Sequence, residues 1–128
     1  MTGIAVFAHG SSVESANEAV RIVVREMARK MPEGQLIEAT FLEGGQPSLQ
    51  GGVERLMAGG ATRIVVVPYF LTVGLHLKRD LPALITQLRE THPHLTDVVV
   101  TDPLDGHPAL AEILAARAAS AIEVEVAA

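Results

Sequence analysis

The order of apolar segments along the chain predicts an α/β fold built on an open, parallel, four-stranded sheet. Ile4–Ala8 is apolar without a break, which is too short for a helix core and typical of a strand buried on both faces. Further strand-like runs alternate with helical spacing, so the predicted element order is βαβαβαβα. Because crossovers are right-handed and the first strand is central, we expect strand order 2-1-3-4 with helices on both faces.

Composition places the chain among ordinary globular proteins. Its 128 residues fit one domain, residues 1–128, and a hydrophobic content of 48% argues against disorder. The absence of cysteine excludes disulfides and thiolate chemistry. A formal net charge of −5 with only 3% aromatic residues argues against nucleic acid. No apolar run reaches the roughly 18 residues of a membrane span and no signal-peptide pattern occurs, so we expect no membrane association and a cytoplasmic location.

A histidine stands where the first strand should end. His9 and Gly10 follow the apolar run directly. In open α/β sheets, ligands bind beyond the carboxyl ends of the strands, so His9 is a candidate for chemistry. A hydrogen bond to a loop would explain it equally well.

The first helix has two candidate starts. Ser11 with Glu14 fits a capping box, and so does Ser15 with Glu18. Residues 32–34, Pro-Glu-Gly, should end the helix. Helical spacing predicts an inward stripe of Ala16, Val20, Val23, Val24, Met27 and Met31.

A partly alternating strand at 35–42 reads as an edge strand and ends next to Glu43, a second candidate for the site. A solvated loop carboxylate would look the same in sequence. The second helix should open at Pro47-Ser48 and be the weakest, because Gly51 and Gly52 each cost about 1 kcal/mol against Ala. Its predicted inward residues are Leu49, Val53, Leu56 and Met57.

The β-branched run Ile64–Val67 predicts the third strand, and an apolar segment then leads to His76. Asp80 fits the N-cap of the third helix, which places His76 in the preceding loop, on the same edge as His9. A lone histidine there would more often be structural. Two histidines and Glu43, each after a different strand, indicate a site. The third helix should bury Leu81, Leu84, Ile85 and Leu88.

The remaining histidines lie near the fourth strand, predicted at 97–101. His92 and His94 precede it, at the opposite sheet edge, so we interpret them as surface residues. His107 precedes Pro108 at a helix start, which favours a capping or loop role. The last helix should turn inward Leu110, Ile113, Leu114 and Ala118.

Short motifs spread over residues 3–118 resemble those of the small CbiX-type sirohydrochlorin cobaltochelatases and their SirB-type ferrochelatase relatives. They occur in the family's order and at its intervals. The motifs are Phe-Ala-His-Gly-Ser at 7–11, Phe-Leu-Glu at 41–43 with Pro-Ser-Leu at 47–49, Val-Val-Val-Pro-Tyr-Phe-Leu at 65–71 with Gly-Leu-His at 74–76, Asp-Leu-Pro at 80–82, and Leu104 with Gly-His-Pro at 106–108.

The resemblance implies a chelatase-like, flavodoxin-like fold and insertion of Co²⁺, Fe²⁺ or Ni²⁺ into sirohydrochlorin, a step of cobalamin or siroheme biosynthesis. His9 and His76 match the family's active-site histidines, and Glu43 matches the acid that accompanies them. These three are thus the expected catalytic and metal-binding residues. The metal is a substrate, and no tightly bound cofactor is expected. Many members carry Arg-Asp-Pro after His-Gly-Ser, whereas residues 12–14 here are Ser-Val-Glu.

Independently of the resemblance, the chemistry of histidine and carboxylate side chains fits metal insertion. Neutral imidazole suits Co²⁺, Ni²⁺ and Fe²⁺ and accepts protons near neutral pH, and two histidines with one carboxylate leave coordination positions open. Substrate carboxylates could bind Ser11 and Ser12 at the first helix, or Lys78 and Arg79, although an exposed pair at a helix start explains the latter equally well.

A wide tetrapyrrole and a small sheet also predict a homodimer with facing strand ends. A non-catalytic metal or tetrapyrrole carrier, and a regulatory domain of the same shape, remain alternatives to a chelatase. The carrier would bind in stoichiometric amount without turnover. In the regulatory domain, changing His9 would not affect ligand binding.

Overall fold

The parallel sheet and the four helices that follow its strands are present as predicted. The computed structural model describes residues 1–127, with all their side chains except those of residue 76 and residues 124–127. The sheet order β2-β1-β3-β4 confirms the predicted fold class and strand order. No helix within the described range is long and apolar enough to cross a membrane. The elements are β1 (Thr2–Ala8), α1 (Glu14–Lys30), β2 (Leu36–Phe41), α2 (Leu49–Ala58), β3 (Arg63–Tyr69), α3 (Leu75–Thr91), β4 (Asp97–Val100) and α4 (Ala109–Ala127).

Strand β1 is buried on both faces, which confirms the interpretation of its apolar run. Alternate residues point to opposite sides of a strand. Ala5 and Phe7 join the core beneath α2 and α3, and Ile4 and Val6 pack with Val24 of α1 on the other side. Because β1 lies between β2 and β3, the loop that follows it opens at the middle of the carboxyl edge.

Helix α2 follows its prediction closely. The hydroxyl oxygen of Ser48 caps it by accepting a hydrogen bond from the backbone N–H of Gly51 at 3.1 Å. Leu49, Val53 and Leu56 are buried. The serine before the apolar stripe therefore predicted the first residue of this helix correctly.

The start of α1 differs from both predicted capping boxes. Its N-cap is Val13, and no side chain caps the helix. The Ser11 hydroxyl accepts from the N–H of Val13, outside the helix, while Glu14 and Glu18 bind Arg21. Both capping-box predictions are therefore wrong. Each glutamate accepts a hydrogen bond from Arg21 instead of capping the helix. Two residues of the predicted stripe, Ala16 and Val23, are exposed.

Helix α3 begins six residues earlier than predicted. Gly74 is its N-cap, so Asp80 lies inside the helix and His76 lies on it rather than in the preceding loop. Leu77 is buried one turn before Leu81, on the stripe that continues through Ile85. Burial of Leu77 extends the helix toward its N-terminus, an effect that local capping signals do not reveal.

Helix α4 is the largest departure. All residues from 111 to 123 are exposed, including Ile113 at 52% and Leu114 at 69%. Of the predicted inward stripe, Leu110 is half-buried, whereas Ile113, Leu114 and Ala118 are exposed. Ordinary amphipathic spacing predicted the apolar stripe but not what would cover it.

Candidate functional site

His9 and Glu43 lie side by side at the carboxyl edge of the sheet. The pairing of β1 with β2 continues past both strands, since Leu42 N–H donates to the Ala8 carbonyl at 2.9 Å and Glu43 N–H to the His9 carbonyl at 3.0 Å. His9 Nε2 lies 3.7 Å from Glu43 Oε1. Their side chains are 60% and 70% exposed, so a ligand can reach both.

The two ring nitrogens of His9 face different groups, Nδ1 the backbone and Nε2 the Glu43 carboxylate. His9 Nδ1 lies 3.2 Å from the carbonyl oxygen of Gly10. If Nδ1 donates to this carbonyl, Nε2, which faces Glu43, is the nitrogen available to a metal. A backbone carbonyl on the second ring nitrogen is the usual support of a metal-binding histidine.

Two glycines let the two loops approach each other. Gly10 has a φ of +88°, and a Cβ built on it would overlap the carbonyl oxygen of Glu43. Gly44 has a φ of +71°, and its Cβ would lie 2.6 Å from the carbonyl oxygen of Ser11. Left-handed backbone and backbone-to-backbone contact both require glycine at these positions.

Asn17 of α1 joins the same two loops. Its side chain is buried; Oδ1 accepts from the N–H of Ser11 at 2.9 Å. Its Nδ2 donates to the carbonyls of Ser11 at 2.9 Å and Gly44 at 3.1 Å, and to Glu14 Oε2 at 3.2 Å. No sequence motif marks Asn17. Its helical spacing from Val20, however, places this polar residue on the inward face of α1, and a polar residue there indicates a buried hydrogen-bond network.

A cavity of about 360 Å³ opens beside His9. The His9 ring meets Phe70 edge to face, with ring centroids 6.4 Å apart, and Phe70 meets Phe7 in the same way at 6.0 Å. One wall of the cavity is therefore aromatic while His9 and Asp80 supply polar groups. The lining residues are His9, Leu42, Phe70, Thr72, Gly74, Leu77 and Asp80.

Ser11, Ser12, Lys78 and Arg79 do not line this cavity. The backbone of His76 is the second residue of α3, after β3 and at the same edge, and its side chain lies outside the described part of the structure. Ser11 is half-buried and Ser12 is exposed. Lys78 and Arg79 are exposed on α3, and Lys78 lines a second cavity of about 650 Å³ next to β4.

No group of three His, Asp or Glu side chains able to hold a metal occurs among the described side chains, which do not include that of His76. His9 and Glu43 together provide two potential metal ligands. A third donor would have to come from His76, from the substrate or from a second copy of the chain.

The remaining histidines lie apart from the site. His107 Nδ1 accepts from the N–H of Ala109 at 3.0 Å, which confirms the capping role. His94 is exposed, as predicted. His92 is not a free surface residue, because its side chain is only 14% exposed and its Nε2 lies 3.2 Å from Gln50 Nε2 and 3.8 Å from Glu54 Oε1.

Exposed apolar side chains border the carboxyl edge after all four strands. We call this set the apolar rim; their exposure ranges from 39% to 80%. Large apolar side chains that gather at one edge mark a binding or contact surface. The rim consists of Val13, Leu42, Leu71, Leu75 and Leu104.

The fold and the site together are those of a chelatase-like α/β protein. The sheet is open and parallel with order 2-1-3-4, and a histidine and a glutamate lie side by side at its carboxyl edge. The CbiX family model matches residues 3–121, and the chain belongs to that family.

Individual relatives agree. The sirohydrochlorin cobaltochelatase of Sulfolobus acidocaldarius is 32% identical over 125 residues, covering 98% of this chain and 96% of the relative. The crystal structure of the putative cobalamin (vitamin B12) biosynthesis CbiX protein of Marinobacter aquaeolei matches with a TM-score of 0.77, 30% identity and 98% of both chains. The sirohydrochlorin chelatase SirB of Bacillus subtilis, in complex with cobalt, matches with a TM-score of 0.71 and 27% identity; 80% of this chain aligns with 43% of SirB.

Proposed function

We propose that this chain is a sirohydrochlorin chelatase, a lyase-class enzyme that inserts a divalent metal ion into the tetrapyrrole. The observation that carries the proposal is the His9–Glu43 pair, exposed and 3.7 Å apart beside an aromatic cavity. Family membership and the cobaltochelatase relative support the same activity.

The pair suits the loose metal binding that insertion needs. A neutral imidazole nitrogen and one carboxylate bind Co²⁺ or Fe²⁺ while most coordination positions stay open for water and then for pyrrole nitrogens. A closed four-ligand site would hold the metal instead of passing it on. Both groups point to solvent, so the ion can arrive and leave with the substrate.

Insertion also releases two protons from the pyrrole N–H groups. The Nε2 lone pair of His9 can accept one of them once the metal has moved to the ring, and Glu43 can take the other or pass it to water. We assign His76 the role of the second histidine, on the basis of its place at the start of α3.

The macrocycle has apolar faces and charged carboxylates at its edge. Phe70 and the apolar rim suit the faces. Ser11, Ser12, Lys78 and Arg79 are proposed to bind the carboxylates, the two cations through charge. Lys78 lines the cavity of about 650 Å³.

One copy supplies half of an enclosure. We propose a homodimer in which two carboxyl edges, each with an apolar rim, face each other and exclude water from the metal. We also propose that the chain forms one chelatase-like domain, that it acts in cobalamin or siroheme biosynthesis and that it is cytoplasmic.

The test is metal insertion followed by absorbance of sirohydrochlorin with Co²⁺. His9→Ala should reduce the rate to that of the spontaneous reaction, and Glu43→Gln should reduce it strongly while preserving side-chain volume. His94→Ala, an exposed change at the opposite edge, is the matched control and should keep the wild-type rate.

Two outcomes would contradict the proposal. If His9→Ala and Glu43→Gln both insert metal as fast as the control, the site is elsewhere. If the unmodified chain binds Co²⁺ and sirohydrochlorin in stoichiometric amount without turnover, it is a carrier.

A further inference from the structure

Helix α3 places an aspartate in the cavity beside His9. Asp80 lines the cavity of about 360 Å³ together with His9, whereas Glu43 is not among its lining residues. The rest of the lining is apolar, aromatic or glycine, apart from the hydroxyl of Thr72. Among the described side chains, Asp80 is therefore the only carboxylate that faces this cavity.

The packing of α3 determines the position of Asp80. Leu77 and Leu81 are buried in the core and anchor the turn that carries it. Successive residues turn by about 100° around a helix, so Lys78 and Asp80 lie on opposite flanks of α3. The cavities agree with this spacing, since Lys78 lines the one next to β4 and Asp80 lines the one beside His9. A group carried by a helix that is packed in this way has a well-defined place for chemistry.

The structural roles open to an aspartate do not account for Asp80. Gly74 is the N-cap of α3, and Asp80 lies beyond the first turn, whose N–H groups need a cap. Aspartate is also among the less favourable residues in the interior of a helix. Asp97 shows the usual alternative, because Arg63 and Arg89 each lie 3.8 Å from its carboxylate, and no described side chain pairs with Asp80 in that way.

Metal insertion needs a base that does not itself hold the metal. Each proton lost from a ring nitrogen must pass to a base, and the electron pair left on that nitrogen then binds the metal. His9 and Glu43 lie 3.7 Å apart and share one ion in the proposed function. A carboxylate next to a cation is a weaker base. Asp80 forms no three-ligand group with these two residues, so the metal does not compete for its carboxylate.

We infer that Asp80 is a second proton acceptor of the chelatase site. Its carboxylate takes the proton of one pyrrole N–H, and the electron pair of that bond stays on nitrogen and binds the metal. Protonated Asp80 then releases the proton to water, which its exposed position allows. His9 accepts the other proton, and Glu43 stays with the incoming metal. This role rests on the proposed function, because it is a step of that reaction.

The first experiment compares two aspartates at the same edge of the sheet. Asp80→Asn preserves volume and removes the base, so kcat for Co²⁺ insertion into sirohydrochlorin should fall about 100-fold. KM should not rise, because the lost charge repels the carboxylates of the substrate. Asp105→Asn is the matched control. Asp105 is also exposed but lines the cavity next to β4, and this variant should keep the wild-type kcat.

Calorimetric titration with Co²⁺ alone distinguishes a base from a metal ligand. Asp80→Asn should bind the ion as tightly as wild type, whereas His9→Ala should bind it more weakly. A loss of Co²⁺ affinity in Asp80→Asn as large as that in His9→Ala would make Asp80 a ligand and overturn the inference.

A solvent isotope effect distinguishes proton transfer from a change in structure. Without the base, proton transfer should limit the reaction, so the ratio of kcat in H₂O to kcat in D₂O should be larger for Asp80→Asn than for wild type. Circular dichroism checks that the variant folds, as the exposure of Asp80 predicts. A folded variant with a low kcat and an unchanged ratio would limit Asp80 to a structural role and overturn the inference.

The same measurements separate this role from the chelatase activity itself. If His9→Ala is inactive while Asp80→Asn inserts metal as fast as Asp105→Asn, the chelatase proposal stands and the second base is another group. If the unmodified chain inserts no metal, the chelatase proposal fails, and the role of Asp80 fails with it.

Discussion

The two sides of the carboxyl edge are built differently. After β1 and β2, the loops carrying His9 and Glu43 meet through backbone hydrogen bonds, two left-handed glycines and the buried side chain of Asn17. After β3 and β4, the chain exposes Leu71, Leu75 and Leu104 and then α4.

This difference separates two kinds of function. Tight, fully hydrogen-bonded loops position chemical groups, and one chain can do that alone. Exposed apolar side chains gain only when something covers them. We therefore expect substitutions on the β1–β2 side to affect folding and chemistry together, and substitutions on the β3–β4 side to affect association and activity without affecting the fold of one copy.

The largest expected effect is at Gly10. Gly10→Ala would place a Cβ against the Glu43 carbonyl in left-handed backbone, and we expect a loss of about 3 kcal/mol in unfolding free energy and of metal insertion. Gly34→Ala is the control, because Gly34 has a φ of +83° but open space around it. It should lose only about 1–2 kcal/mol, measured by urea denaturation. Equal losses in the two variants would contradict the close approach of the loops.

The next effect distinguishes two adjacent glycines of α2. Gly52→Ala should destabilise by about 1–3 kcal/mol, since its Cβ would overlap Cγ2 of Thr40, a buried residue whose hydroxyl donates to the Val6 carbonyl. In Gly51→Ala the added Cβ would lie 3.4 Å from Cβ of Pro47, which is an ordinary contact. This variant should therefore be about 1 kcal/mol more stable than wild type. Thermal unfolding of the pair should therefore show shifts of opposite sign, and shifts of the same sign would show that the helix does not press on β2.

Asn17→Ala tests the link between the two loops. It leaves the Ser11 N–H and the Gly44 carbonyl without their partner, which costs about 1–3 kcal/mol. Asn17→Asp keeps an acceptor for the Ser11 N–H but turns a buried carboxylate toward the Ser11 and Gly44 carbonyls and Glu14, so it should be no more stable than Asn17→Ala at pH 7. Weaker Co²⁺ binding in Asn17→Ala would show that the link positions His9 and Glu43; unchanged binding would limit Asn17 to a structural role.

Leu75→Gln examines the open side. Leu75 is 80% exposed, so the unfolding free energy should change by less than about 0.5 kcal/mol. Metal insertion should nevertheless decrease, because Leu75 belongs to the apolar rim. Ile22→Gln, an exposed change on α1, should alter neither quantity. A wild-type insertion rate in Leu75→Gln would remove the rim from the proposed enclosure.

The smallest effect concerns acid stability near the start of α1. Hydrogen bonds from Arg21 lower the pKa of Glu14, and those from Arg25 and then Arg21 lower the pKa of Glu18, from a usual 4.5. Lowered carboxylate pKa values add stability above pH 4.5, and this contribution is lost as the pH falls through the folded-state values. Glu18→Gln should thus be slightly less stable than wild type at pH 7, and the difference should shrink as the pH falls below 4.5. A difference that stays constant in acid would exclude this pairing.

Local patterns in the sequence predicted the parts that depend on neighbours along the chain. The unbroken run Ile4–Ala8 predicted a strand buried on both faces, and its place among alternating elements predicted sheet order 2-1-3-4. Since parallel strands end at one edge, the residues that follow them, His9 and Glu43, were expected to meet, and they do.

Tertiary contacts decided the rest. Asn17 matters because Ser11 and Gly44 reach it from two loops, and α3 starts at Leu75 because Leu77 finds a place in the core. The apolar stripe of α4 is visible in the sequence, but which surface covers it is not. Spacing along a chain determines which face of an element is apolar, whereas the partner of that face depends on residues distant in sequence or belonging to another copy.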